Sequence, residues 1–143
     1  MAITQEGQTE AMEHAGRTGG LPFVGTGWYR LNFDAPGFEK GKKATLIFDG
    51  AMSHARVYVN GQEAGYWPYG YNSFYVDATP NLKPGERNEL AVRLENEPES
   101  SRWYPGAGLY RNVHLVINED THIPAWGTYV TTPVVTDKYA TPP

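Results

Sequence analysis

Apolar and polar residues alternate in short runs along most of this chain, and each run stops at glycine, proline or asparagine before a helix could complete several turns. In Trp28–Asp34, Tyr29, Leu31 and Phe33 alternate with Trp28, Arg30 and Asn32, and Pro36-Gly37 ends the run. Lys43–Asp49 repeats the pattern with Ala44, Leu46 and Phe48 on one face, and Arg56–Asn60 begins another strand after Gly50. Asn60-Gly61 is the strongest turn signal. A type I′ hairpin needs positive φ at both central residues, which Asn-Gly tolerates best, so Val57–Val59 is expected to pair antiparallel with Glu63–Trp67. Ser73–Asp77 follows, then a turn at Pro84-Gly85, then Leu90, Val92 and Leu94 in alternation. The last clear strand is Asn112–Ile117, with Val113, Leu115 and Ile117 on one face.

About six or seven short strands with no amphipathic helix between them define an all-β antiparallel sandwich or barrel, with a jelly roll as first choice. Ten Tyr and four Trp, interrupted by 16 Gly and 11 Pro, agree with many strands and many turns. A length of 143 residues suits one core. Residues 1–24 are polar and Gly-rich and read as a lead-in, in which Thr9–His14 forms at most a short helix. Residues 25–122 are expected to form the jelly roll. Residues 123–143 read as a linker and the first strand of a next domain, because the β-rich stretch Thr128–Thr136 lacks an obvious partner strand.

Several function classes are disfavoured. A net charge of -4 opposes a phosphate backbone, so nucleic acid is not an expected partner. No stretch approaches the roughly 20 apolar residues of a membrane span, so the sequence as given reads as soluble with no membrane partner. The absence of cysteine removes disulfides and thiolate metal sites, yet does not separate a reducing from an oxidising compartment. Localisation therefore stays open, a periplasmic or secreted parent included. His14, His54, His114 and His122 are scattered without metal-ligand spacing, so no metal and no cofactor are expected. There is no Gly-x-Ser-x-Gly elbow, and Ser53-His54 is only a dipeptide.

Ser101-Arg102-Trp103-Tyr104-Pro105-Gly106-Ala107-Gly108-Leu109-Tyr110-Arg111-Asn112-Val113 closely resembles the segment that closes the N-terminal sugar-binding domain of family 2 glycoside hydrolases, β-galactosidase type. Gly27-Trp28-Tyr29-Arg30 resembles the opening strand of that domain. Val57-Tyr58-Val59-Asn60-Gly61 resembles its central hairpin, and Tyr71, Phe74 and Asp77 fall at the family spacing before Leu82, Gly85 and Asn88. The segment ahead of Gly25 lacks the His-Asp-Trp type lead that members often carry. The resemblance implies a galactose-binding-like jelly roll that precedes an immunoglobulin-like domain and a TIM barrel. Both catalytic glutamates would lie in that barrel, leaving this chain without catalytic residues of its own. It also implies that Trp126–Thr136 crosses into the second domain and that the partner is a carbohydrate of the β-galactoside type.

Ser101, Arg102 and Trp103 are the candidate substrate-binding residues, with Tyr104 beside them. Arg donates in a fixed fork, and an indole face suits the apolar side of a pyranose; Ser101 is included by position. The competing reading packs Trp103 into the sandwich and pairs Arg102 with an acidic residue at a domain interface. Glu95, Glu97 and Glu99 form the densest carboxylate set and read as a solvated acidic edge. Tyr66, Trp67, Tyr69 and Tyr71 form either an exposed aromatic platform or part of a buried face, with Tyr71 read as core from its spacing to Phe74. Gly106 and Gly108 are expected to serve the backbone. Three functions remain: the non-catalytic domain of a glycoside hydrolase, a free-standing carbohydrate-binding module, and a protein-interaction sandwich in which Trp103, Tyr104 and the Trp67 region never touch sugar.

Overall fold

The computed structural model describes residues 25–97, 107–138 and 140–141. Its main strands are β1 (Gly25–Asp34), β2 (Lys43–Phe48), β4 (Ala55–Val59), β5 (Gln62–Trp67), β6 (Phe74–Asp77), β7 (Arg87–Asn96) and β9 (Val113–Asn118). Two-residue strands β3 (Ala51–Met52), β8 (Gly108–Leu109), β10 (Val134–Val135) and β11 (Ala140–Thr141) complete the series, and the described residues contain no α-helix. A four-stranded sheet in the order β1-β7-β4-β5 faces a three-stranded sheet in the order β6-β2-β9, and all the strand pairings are antiparallel. This is the expected all-β jelly-roll sandwich.

The period-two pattern sets the core. Ala44, Leu46 and Phe48 of β2 meet Ala55, Val57 and Val59 of β4 and Leu90, Val92 and Leu94 of β7, all buried. Phe48 stacks on Phe74 with centroids 4.7 Å apart and planes 3° from parallel. Val113, Leu115 and Ile117 pack against this cluster from β9. On β1 the alternation holds but burial does not. Tyr29 and Leu31 pair with the buried Val92 and Leu90, and so face the same side, yet they are 41% and 59% exposed. Four strands lie over three, and the β1 edge overhangs.

The two ends of the sandwich differ. At one end Asn60 (φ 52) and Gly61 (φ 79) make the predicted hairpin, joining Val59 to Gln62, and the register then shifts between Val57 and Tyr58. Here Asn88, 1% exposed, is fully engaged. Its Oδ1 accepts from Asn60 Nδ2 and the Lys83 amide, each at 2.8 Å. Its Nδ2 donates to the Lys83 and Glu86 carbonyls at 2.9 and 2.8 Å. Asn60 in turn donates to the Asn81 carbonyl and accepts from the Glu89 amide. This end is closed. The opposite end carries the turns around residues 49–54 and 67–73, the end of β7, and β8.

The tail departs from expectation. Thr128–Thr136 does have a partner, since Val134 and Val135 pair with Thr141 and Ala140 of the same tail. Pro133 interrupts the stretch, and its other residues are not strand. Before it, Trp126 rests on Tyr75 of the three-stranded sheet, with centroids 5.7 Å apart.

Candidate functional site

Ser101, Arg102, Trp103, Tyr104 and Gly106 lie outside the described residues, as does Glu99. The structure positions both flanks of their segment at the open end. On one side, Ser53 and Glu95 exchange backbone hydrogen bonds of 3.3 and 2.9 Å, and Ser53 Oγ donates to the Glu95 carbonyl at 2.8 Å. On the other, Met52 pairs with Gly108 and Ala51 with Leu109. Gly108 has φ 99, a conformation that favours glycine, and a Cβ there would push on the Tyr29 hydroxyl, in keeping with its place in the motif. Tyr110 lies against Gly50, where a side chain would collide with its ring, and donates its hydroxyl to the Gly70 carbonyl at 2.7 Å. Asp49 accepts a 3.0 Å contact from His114 Nε2.

The aromatic run divides. Trp67 stacks on Phe74 at 5.8 Å and 12° and donates its Nε1 to Asn72, so it belongs to the sandwich. Tyr66 is capped by the Arg56 guanidinium, 4.8 Å from the ring centroid. Tyr71 is not core: it is 40% exposed beside Tyr69, itself 55% exposed. The turn at 68–73 swings both rings outward before Phe74 enters β6, so sequence spacing to a core residue did not determine burial. Their centroids are 5.5 Å apart and their planes 54° apart, which makes an open wedge and not a flat platform.

The carboxylate set has an unanticipated neighbour. Donor atoms of His54, Glu95 and Glu97 all lie within 4.8 Å of one another. The sequence separates the histidine from the glutamates, and the β4–β7 pairing, extended by the Ser53–Glu95 backbone bonds, brings them together. Arg93 Nη1 donates to Glu95 Oε1, and this bond holds the Glu95 carboxyl below the ordinary carboxylate range against the opposing effect of burial. A glycosidase general acid needs the reverse shift, so Glu95 is unsuited to protonate a leaving group.

Neither described hollow encloses a sugar. A cleft of about 40 Å³ between Tyr29, Met52, Leu94 and Gly108 has room for water. A groove of about 230 Å³ over the three-stranded sheet, between Thr45, Tyr75, Val116, His122 and Ile123, falls short of the roughly 300–1,000 Å³ typical of small-molecule sites.

Residues 21–119 match the family model described as "Glycosyl hydrolases family 2, sugar binding domain". The chain belongs to this family. As a family 2 sugar-binding domain it is 45% identical over 136 residues to a β-galactosidase of Bacteroides ovatus, covering 94% of this chain and 16% of that protein. It is 35% identical over 137 residues to a β-glucuronidase of Formosa agariphila, covering 81% of this chain and 14% of that one. A solved structure of a glycosyl hydrolase family 2 member from Bacteroides cellulosilyticus superposes with a TM-score of 0.71 at 43% identity, over 80% of this chain and 16% of that one. The Bacteroides uniformis β-glucuronidase gives 0.70 at 30% identity, over 82% and 15%. The domain thus spans about one-sixth of the length of the B. ovatus relative.

Proposed function

We propose that this domain is the non-catalytic N-terminal part of a β-galactosidase-like glycoside hydrolase, supporting a catalytic barrel and lending a loop to its sugar site. The observation that carries this reading is the match of the whole sandwich to the family 2 sugar-binding domain, alongside relatives roughly six times longer. In this reading hydrolysis of the O-glycosidic bond uses two carboxyl groups of the barrel, while Ser101, Arg102 and Trp103 line the sugar site. Residues 123–143 lead into an immunoglobulin-like domain, and residues 1–24 precede the jelly roll, which ends near residue 122. A rigid sandwich suits this role, because a substrate misplaced by about an ångström loses much of its rate.

Kinetics of the whole enzyme test it. Arg102→Ala is expected to lower kcat/KM at least about tenfold, equivalent to about 1.4 kcal/mol of transition-state binding. The isolated chain is expected to hydrolyse no chromogenic galactoside. Unchanged kinetics in Arg102→Ala would instead favour the interaction-only sandwich. The exposed Tyr69–Tyr71 wedge supports a second reading, a free-standing carbohydrate-binding module, which predicts measurable galactoside affinity of this chain alone and its loss in Tyr69→Ala.

A further inference from the structure

We propose that His54, Glu95 and Glu97 form a binding site for a zinc-type divalent cation at the open end of the sandwich. Three donors from two segments converge, with all their ligand atoms within 4.8 Å of one another. Around a tetrahedral ion with bonds of about 2.0–2.1 Å, donors stand about 3.4 Å apart, so small side-chain rotations close the site.

The three groups are not holding one another. Among the described residues, the nitrogens of the half-buried His54 ring and the Glu97 carboxylate have no hydrogen-bond or ion-pair partner. Glu95 is engaged by Arg93 through Oε1 alone, which leaves Oε2 for a cation. The local charge asks for one. Arg93 balances Glu95 and Arg56 balances Glu63 at 3.1 Å, so with a neutral imidazole the Glu97 charge is left over among the described residues.

The scaffold presets the positions of the donors. The reciprocal Ser53–Glu95 backbone bonds place His54 beside the end of β7, and the His54 amide donates to the Pro68 carbonyl at 3.1 Å. Imidazole nitrogen with two carboxylate oxygens suits zinc better than calcium or magnesium, which prefer all-oxygen shells. Three protein ligands leave a fourth position for water. The ion would sit at the base of the segment that carries Arg102 and Trp103, and the site stands whether or not those residues touch sugar.

Calorimetric titration of the EDTA-treated, tag-free chain with zinc chloride tests this. One zinc per chain is expected, binding more tightly than calcium or magnesium. His54→Asn removes the ligand while tolerating the local φ of 49, and is expected to weaken zinc at least about tenfold. Glu97→Gln, on an exposed side chain that does not risk the fold, should weaken it several-fold, and Glu63→Gln should leave it unchanged. Cobalt added to the native chain should give a visible ligand-field band that Glu97→Gln diminishes. The proposal is overturned by no zinc binding below about 0.1 mM. Undiminished affinity in Glu97→Gln or in a folded His54→Asn, or calcium binding more tightly than zinc, overturns it equally.

Discussion

The two ends of this sandwich are built from the same strands to opposite purposes. At the closed end, Asn60 and Asn88 spend their side-chain amides on backbone groups and on each other. At the open end, polar and aromatic side chains are held in place by backbone while part of their surface stays exposed: Tyr69 projects outward, and the imidazole of His54 faces two carboxylates without hydrogen-bonding either. Saturated hydrogen bonding fixes a fold, and recognition needs donors and faces that the fold has not consumed. β4 and β7 each run from one regime to the other, and so transmit the rigidity of the closed end to the open one.

The largest effect expected from a polar substitution is at the closed end. Asn88→Ala orphans the Lys83 amide, takes one of two donors from each of the Lys83 and Glu86 carbonyls, and should destabilise the chain by about 2–4 kcal/mol in urea denaturation. A loss below about 0.5 kcal/mol, the range of ordinary surface changes, would remove the contrast between the ends. At the open end, Gly108→Ala should cost about 2 kcal/mol, combining a positive-φ penalty with the overlap on Tyr29. Adding Tyr29→Phe should return only the overlap part; full recovery would show that backbone strain plays no role.

A smaller, pH-dependent effect comes from Glu95. Its folded pKa is depressed by Arg93, so its contribution is present above the ordinary carboxylate pKa and is lost as pH falls through the lower folded value. Glu95→Gln should therefore flatten the acid limb of a plot of Tm against pH. An unchanged limb would mean that the Arg93 contact does not persist in solution. The smallest effect belongs to Tyr69→Ala, expected within about 0.5 kcal/mol of the native chain, because its exposed ring packs on Tyr71 and not on the core. A loss above 1 kcal/mol would place it with the structural residues.

What the amino-acid sequence discloses follows the same division. Alternation identified the inward faces of β2, β7 and β9, Asn60-Gly61 identified the hairpin, and Gly108 occupies the tight position that its motif suggests. These are local rules, set by backbone sterics and period-two burial. The exposure of Tyr29 and Leu31 was hidden, because periodicity reports which way a side chain points and not how wide the opposing sheet is. Tyr71 was misread as core for a related reason: a turn can reverse direction within two residues of a buried Phe74. The meeting of His54 with Glu95 and Glu97 depends on strand order, which no local signal in either segment encodes.

A structure of the whole hydrolase with a sugar in its active site tests the central claim most directly. The account predicts Arg102 within about 3.2 Å of a sugar oxygen or Trp103 within about 4.5 Å of the ring, with the Asn60–Asn88 end remote from the ligand. A sugar contacted by barrel residues alone, or seated against the closed end, would contradict it.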